Sequence, residues 1–172
     1  RQVNDRREEA NTLFSIAHVY EGQGEAAKAR EHLAQALGLA RQIGDPLGEI
    51  QMLHALGRLD YKAGKLAEAR QTLERALTLI EAVRSAIASQ ALRTSYFATV
   101  QNVYELYTSV LMALARSDPS LTPLAFEAAE ARKARSLLEI LAEARAGIRR
   151  GIDPELAAEE RRVQESLNAR EQ

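Results

Sequence analysis

The sequence predicts an all-α solenoid of stacked helix–turn–helix hairpins, and three observations carry that prediction. Apolar residues recur at helical spacing, small residues sit among the leucines where two helices must approach, and the whole pattern returns after forty residues. The hairpin is plainest in 53–79, LHALGRLDYKAGKLAEARQTLERALTL. Before its turn at Ala63-Gly64-Lys65, Leu53, Leu56, Gly57 and Leu59 mark one helix face; after it, Leu66, Ala69, Leu73, Ala76 and Leu77 mark another. Gly57 and Ala69 are the small residues expected to face each other. One hairpin cannot cover its own apolar face, so it needs a neighbour.

The neighbour is in the chain. Sliding the sequence by forty pairs 1–40 with 41–80, and thirteen of those pairs are identical. They fall where packing needs them: Leu13/Leu53, Gly24/Gly64, Ala29/Ala69, Leu33/Leu73, Ala36/Ala76 and Leu37/Leu77, with Arg30/Arg70 conserved between the copies as well. Ile16 answers Leu56, and Ala17 answers Gly57.

Composition agrees. The 172 residues suit one domain, 46% are hydrophobic but only 5% aromatic, and much of the apolar content is Ala and Leu, which favours helices. A formal charge of −1 with acids and bases interspersed gives no electrostatic case for nucleic acid or an anionic membrane. Without Cys there is no disulfide, thiolate zinc site or Cys nucleophile.

In chain order, Arg1–Asn4 match the end of a long second helix, so 1–4 read as the remnant of a preceding repeat, and Asp5 as a helix cap like Asp45. Helices are expected over 6–23, 25–43, 46–63 and 65–85, with Pro46 at a first helical position and Gly44 closing the second helix. From Glu81 the register changes. An apolar stripe through Tyr96, Val100, Val103, Tyr104, Tyr107, Val110, Leu111 and Leu114 predicts one long helix between Ser89 and Arg116. Gln101, Asn102 and Glu105 within it argue against a membrane span. Ser117–Pro123 is a loop by composition, Thr122 reads as the next cap, and a helix is expected over 124–146. Gly147 and Gly151 then bracket a linker, and Asp153-Pro154-Glu155 opens a final helix over 154–172 with a thin apolar stripe, expected to project or pack lightly. The resulting organisation is 1–85 for two hairpins, 86–146 for an atypical long hairpin, and 147–172 for linker and last helix.

Leu13, Ile16, Ala17 and Tyr20, followed by Ala29, Leu33 and Ala36, resemble the tetratricopeptide repeat. So do Leu53, Leu56 and Gly57, followed by Ala69, Leu73 and Ala76. The resemblance implies a right-handed superhelix of α-α hairpins. Asp60 stands where the repeat has an aromatic, and no proline closes the second helices near Arg41 and Glu81. With a period of about forty instead of the usual ~34, the second helices should run long. The stretches Tyr96-Phe97, Val103–Tyr107, Ala125–Glu130, Lys133–Leu138 and Gly151–Leu156 resemble the last hairpin and linker of bacterial repeat proteins that continue into a CHAT domain, a caspase-like peptidase domain. That domain would lie beyond Gln172, and its His–Cys pair has no counterpart in this chain.

In such repeats the first helix of each hairpin lines the surface that meets a peptide. The side chains there that the core pattern leaves unused are Asn11, Phe14, His18 and Glu21 in the first repeat, and Gln51, His54, Arg58, Tyr61 and Lys62 in the second. Phe14 is the most suggestive, since exposing it alone wastes apolar surface. The Lys/Asn set that clamps a C-terminal carboxylate in some family members is missing. His18, His32 and His54 lie on three helices; His18 and His54 approach each other, but no third ligand joins them, so no metal is expected. Neither Gly22/Gly24 nor Gly147/Gly151 makes a phosphate loop, and no cofactor is expected. Glu127/Glu130 and Glu139/Glu143 read as solvated faces. The expected function is a non-catalytic, cytoplasmic module that binds a protein, a peptide or a flanking C-terminal domain. The alternative is an assembly module that joins copies of itself through its repeat ends and last helix.

Overall fold

The computed structural model describes residues 2–83 and 90–151, with side chains left aside at 2, 4, 90–95 and 138–151. The chain is an all-α helical-repeat solenoid. Its helices are α1 (Gln2–Gly22), α2 (Ala26–Gln42), α3 (Pro46–Lys62), α4 (Leu66–Val83), α5 (Gln90–Leu114) and α6 (Thr122–Gly151), with a short 3-10 turn at Pro119–Leu121 before α6. Each of α1 to α5 packs on its sequence neighbour, and α3 also lies against α5. By compactness the chain divides into Arg1–Arg132 and Lys133–Gln172.

One turn is used three times in the first unit. Gly24, Gly44 and Gly64, twenty residues apart, have φ of +78°, +65° and +71°, a conformation that a Cβ would strain. After each, an amide reaches back to close the helix: Glu25 N–H to the Tyr20 carbonyl, Asp45 to Ala40 and Lys65 to Asp60, each at 2.9 Å. The turn inside a hairpin and the turn between hairpins are thus the same device. Asp45 caps α3, its carboxylate accepting from Gly48 N–H at 3.1 Å with Pro46 in the first turn, as the sequence predicted.

The repeat pattern governs burial. Ala29/Ala69, Leu33/Leu73 and Ala36/Ala76 are all buried, in one core that continues through Tyr96, Val100, Val103, Tyr107 and Leu111 of α5 to Ala125 and Ala128 at the start of α6. The buried Tyr96 hydroxyl fastens α5 to the end of α4 by donating to the Ile80 carbonyl at 2.7 Å. Among the described residues no helix is long and apolar enough to cross a membrane.

Several expectations are corrected. α1 begins at Gln2 and runs through Asp5, which is a first-turn acid and not a cap. The physical reason is local: where the second copy has Gly44 and Pro46 to end one helix and start the next, the first has Asn4 and Arg6, which let the helix continue. Arg7 reaches the capping Asp45 at 3.2 Å, and Arg6 donates to Gln42 at 3.3 Å, which ties the start of α1 to the α2–α3 turn. Ile16 does not answer Leu56 in burial: it is 37% exposed against 9%. α3 has α2 on one side and α5 on another, whereas α1 lies against α2. At Gly57 the nearest neighbour is Leu73: a Cβ there would come within 2.9 Å of Leu73 Cγ. α6 starts at Thr122 and continues through Gly147 to Gly151, past its expected end at Ala146. An interior glycine costs a helix only about 1 kcal/mol. Leu137 on α6 is exposed. The stretch 84–89 between α4 and α5, and the final helix expected over 154–172, lie outside the described residues.

Candidate protein-binding face

The repeat places α1 and α3 in equivalent roles, and their last turns meet through Glu21. Its carboxylate accepts from Arg58 Nη2 at 2.6 Å and Nε at 3.1 Å, a two-pronged pairing, and from Lys62 Nζ at 2.7 Å. Arg58 and Lys62 stand one helical turn apart on α3, so a single acid of α1 bridges both. The Glu21 side chain is only 11% exposed. Burial pushes its pKa up, but the hydrogen bonds and charges of Lys62 and Arg58 outweigh that and hold it below the usual carboxylate range.

Two imidazoles and a phenyl ring border this cluster. His18 Nδ1 lies 3.4 Å from Arg58 Nη2 and 3.8 Å from the Glu21 carboxylate. The Phe14 ring meets the His18 ring edge-on, centroids 4.7 Å apart. His54 occupies on α3 the place of Phe14 on α1 and is half-buried. Burial, then the positive charge of Arg58, pushes its pKa down to about 4, with Glu21 pulling weakly the other way. His54 is therefore a neutral ring near neutral pH.

Of the nine side chains proposed for partner contact, Phe14, His18, Glu21, His54, Arg58 and Lys62 are brought together. Asn11 is exposed and Gln51 half-buried, and neither makes a side-chain hydrogen bond among the described residues. Tyr61 packs against the core and turns toward α5, where it lines a separate cleft. His32 stands apart, stacked on Tyr20 with centroids 5.3 Å apart and its buried Nδ1 without a partner. No group of three or more metal-ligating side chains occurs among the described residues.

Two polar links between repeats escaped the sequence reading. Asp60, in the aromatic position, is buried and paired with Arg30 of α2. Arg70, the copy of Arg30, instead bonds Glu74 on its own helix at 2.7 Å, and the Tyr107 hydroxyl donates to the same carboxylate at 3.0 Å. The signal was present in two halves, a repeated arginine and an acid out of pattern, but nothing local joins residues thirty apart.

No curated protein and no solved structure matches the chain. The family model of the tetratricopeptide repeat matches residues 8–82, somewhat under half of the sequence. The match starts inside α1 and ends inside α4, so it takes in both hairpins and the whole Glu21 cluster. With two copies of the same buried pattern and the same glycine turn, it supports a tetratricopeptide-repeat protein.

Proposed function

We propose that the chain is a non-catalytic protein-interaction module that receives a protein or peptide partner on the face carried by α1 and α3. Tetratricopeptide repeats generally mediate protein–protein interaction. The observation that carries the reading here is the Glu21–Arg58–Lys62 bridge. It sets an arginine, two imidazoles and Phe14 side by side across two hairpins, and aromatic and Arg side chains are the ones that dominate interface energetics. The test is affinity capture with the wild-type chain and with Arg58→Glu/Lys62→Glu. Partners held by the wild type should be lost from the variant while its helical circular dichroism persists; equal capture removes the face from the reading.

The resemblance of 96–156 to the segment before a CHAT domain supports regulation of such a peptidase-like domain in cis. Reading the coding sequence past Gln172 decides this: a following domain with a His–Cys pair supports it, and a stop codon or an unrelated domain ends it. A second reading, self-assembly, is favoured by α1. Ile16 and Val19 are 37% and 58% exposed, although their copies Leu56 and Leu59 are buried. Light scattering over a concentration series should show mass rising with concentration for the wild type and constant for Val19→Asp.

A further inference from the structure

α5 enters the stack out of step. Asp60 on α3 meets the arginine of the preceding second helix, and on α5 the residue at the equivalent place, beside Arg70 and Glu74, is Tyr107, forty-seven residues on and not forty. The same step carries buried Leu53 to buried Val100 and buried Leu56 to buried Val103. It also carries Lys62, the last residue of α3, to Ser109. α3 stops there, yet α5 runs on to Leu114. The end of α5 therefore overhangs its neighbour by more than a helical turn.

A cleft of about 470 Å³ opens beneath the overhang, lined by Tyr61 of α3, by Ser109, Met112 and Ala113 at the end of α5, by Ala115 and Arg116 in the turn just past it, and by Thr122. Its walls are of two kinds. Tyr61, Met112 and Ala113 offer apolar surface, and Met112 is 51% exposed. Arg116 brings the only charge among the lining residues, and its guanidinium has no hydrogen-bond or ion-pair partner among the described residues. A cation suits the C-terminal end of a helix, but that leaves five donors in a fork shaped for a carboxylate unfilled. A flexible, polarisable Met beside a Tyr ring is a surface that accommodates an aliphatic side chain without tight shape demands.

We propose that this cleft takes an extended segment of a protein partner through an acidic side chain on Arg116 and an adjacent aliphatic side chain on Met112 and Tyr61. The proposal rests on the protein-binding reading and adds the chemistry of the partner. Charge complementarity favours an acidic segment over a basic one, because a Lys or Arg side chain would meet Arg116 with no acid in the lining to receive it. The cleft is distinct from the Glu21 cluster, although Tyr61 and Lys62 are adjacent in sequence.

The test uses three capped peptides, acetyl-Leu-Glu-Leu-amide and its Gln and Lys counterparts, titrated into the 15N-labelled chain. The Glu peptide should shift the amides of 109–116 and of Tyr61 saturably, the Gln peptide should bind about tenfold more weakly, and the Lys peptide should leave these amides unmoved. Arg116→Gln should erase the preference for Glu over Gln, and Met112→Ser should weaken both. Arg116 is exposed, so its replacement leaves the fold intact by circular dichroism. Equal binding of the Glu and Gln peptides overturns the proposal, as does the absence of any saturable shift at 109–116. Shifts confined to His18, Glu21 and Arg58 also overturn it while leaving the α1–α3 face standing. Failure of affinity capture alone would remove that face and not the cleft.

Discussion

The junction between the two hairpins and the junction between the second hairpin and α5 use one arginine in two ways. Arg30 leaves its helix and pairs with Asp60 of the next one, a carboxylate that is nearly fully buried. Arg70, its exact copy in the repeat, finds no acid on α5, because the out-of-step helix offers Tyr107 there. It turns back to Glu74 on its own helix, and Tyr107 joins from the other side. The first arrangement neutralises a buried charge; the second decorates a half-exposed one. The same residue in the same repeat position has no fixed energetic value until the facing helix supplies its partner.

The largest test of this contrast is the pair Arg30→Ala and Arg70→Ala. The first leaves the buried Asp60 carboxylate without its partner and, because Arg30 is itself 43% exposed, should cost about 1–3 kcal/mol in urea denaturation. The second leaves Glu74 with water and Tyr107 and should cost under about 1 kcal/mol. Equal losses would break the comparison.

Next in size is the pH response. His54 has its folded pKa pushed from 6.5 down to about 4, so the fold holds the neutral ring. Its contribution is complete above about pH 6.5 and is lost as the pH falls toward 4, to a total of up to about 3 kcal/mol. Glu21, also depressed, adds its loss as the pH falls through its lowered value. His54→Phe, which copies the first repeat, should flatten the profile between those limits. The α4–α5 junction responds at the other end. Burial, then the hydrogen bond to Glu74, pushes the Tyr107 hydroxyl up to about 12, so its contribution is intact below pH 10 and is lost as the pH rises toward 12. Tyr107→Phe should remove that alkaline loss and leave the acid limb untouched.

A smaller effect sharpens the comparison within the hairpins. Gly57→Ala installs the residue that Ala17 supplies in the first copy, but its Cβ would lie 2.9 Å from Leu73 Cγ. Overpacking of about 1–3 kcal/mol is partly offset by a helix-propensity gain of about 1, for a net loss on the order of 1 kcal/mol by thermal denaturation. A net gain would mean that Leu73 yields readily and that the glycine is not a packing requirement.

How far these features could be read from the sequence depends on whether they repeat. The glycine turns and the Ala29/Leu33/Ala36 face were legible because each recurs along the chain, and the Asp45-Pro46 start because it acts within a few residues. The set around Glu21 was legible in membership, because the unused positions of equivalent helices must share a face. Its wiring was not: Glu21 and Arg58 were both expected to face outward, and nothing local says that one neutralises the other. Asp5 was misread because Asp45 works as a cap only with Gly44 before it and Pro46 after it. The overhang of α5 was hidden for a different reason. Its stripe of Val, Tyr and Leu is continuous and carries no glycine or small residue to mark a register, so the step could be found only from which side chain meets Glu74.

The thrice-used glycine turn also bears on how the chain reaches its fold. Among the described residues the extensive helix–helix packings from α1 to α5 join helices adjacent in sequence, and the contacts of α3 with α5 and of α1 with α3 at Glu21 add to them. Each extensive packing therefore closes a short loop, and ordering can spread from one helix to the next without a distant search. α3, covered by α2, α4 and α5, is the natural place for such spreading to begin, while α1 leaves Ile16 and Val19 exposed. In such a chain each helix is held by its neighbours, so Phe14, His18 and Glu21 keep their places only while α1 stays packed on α2.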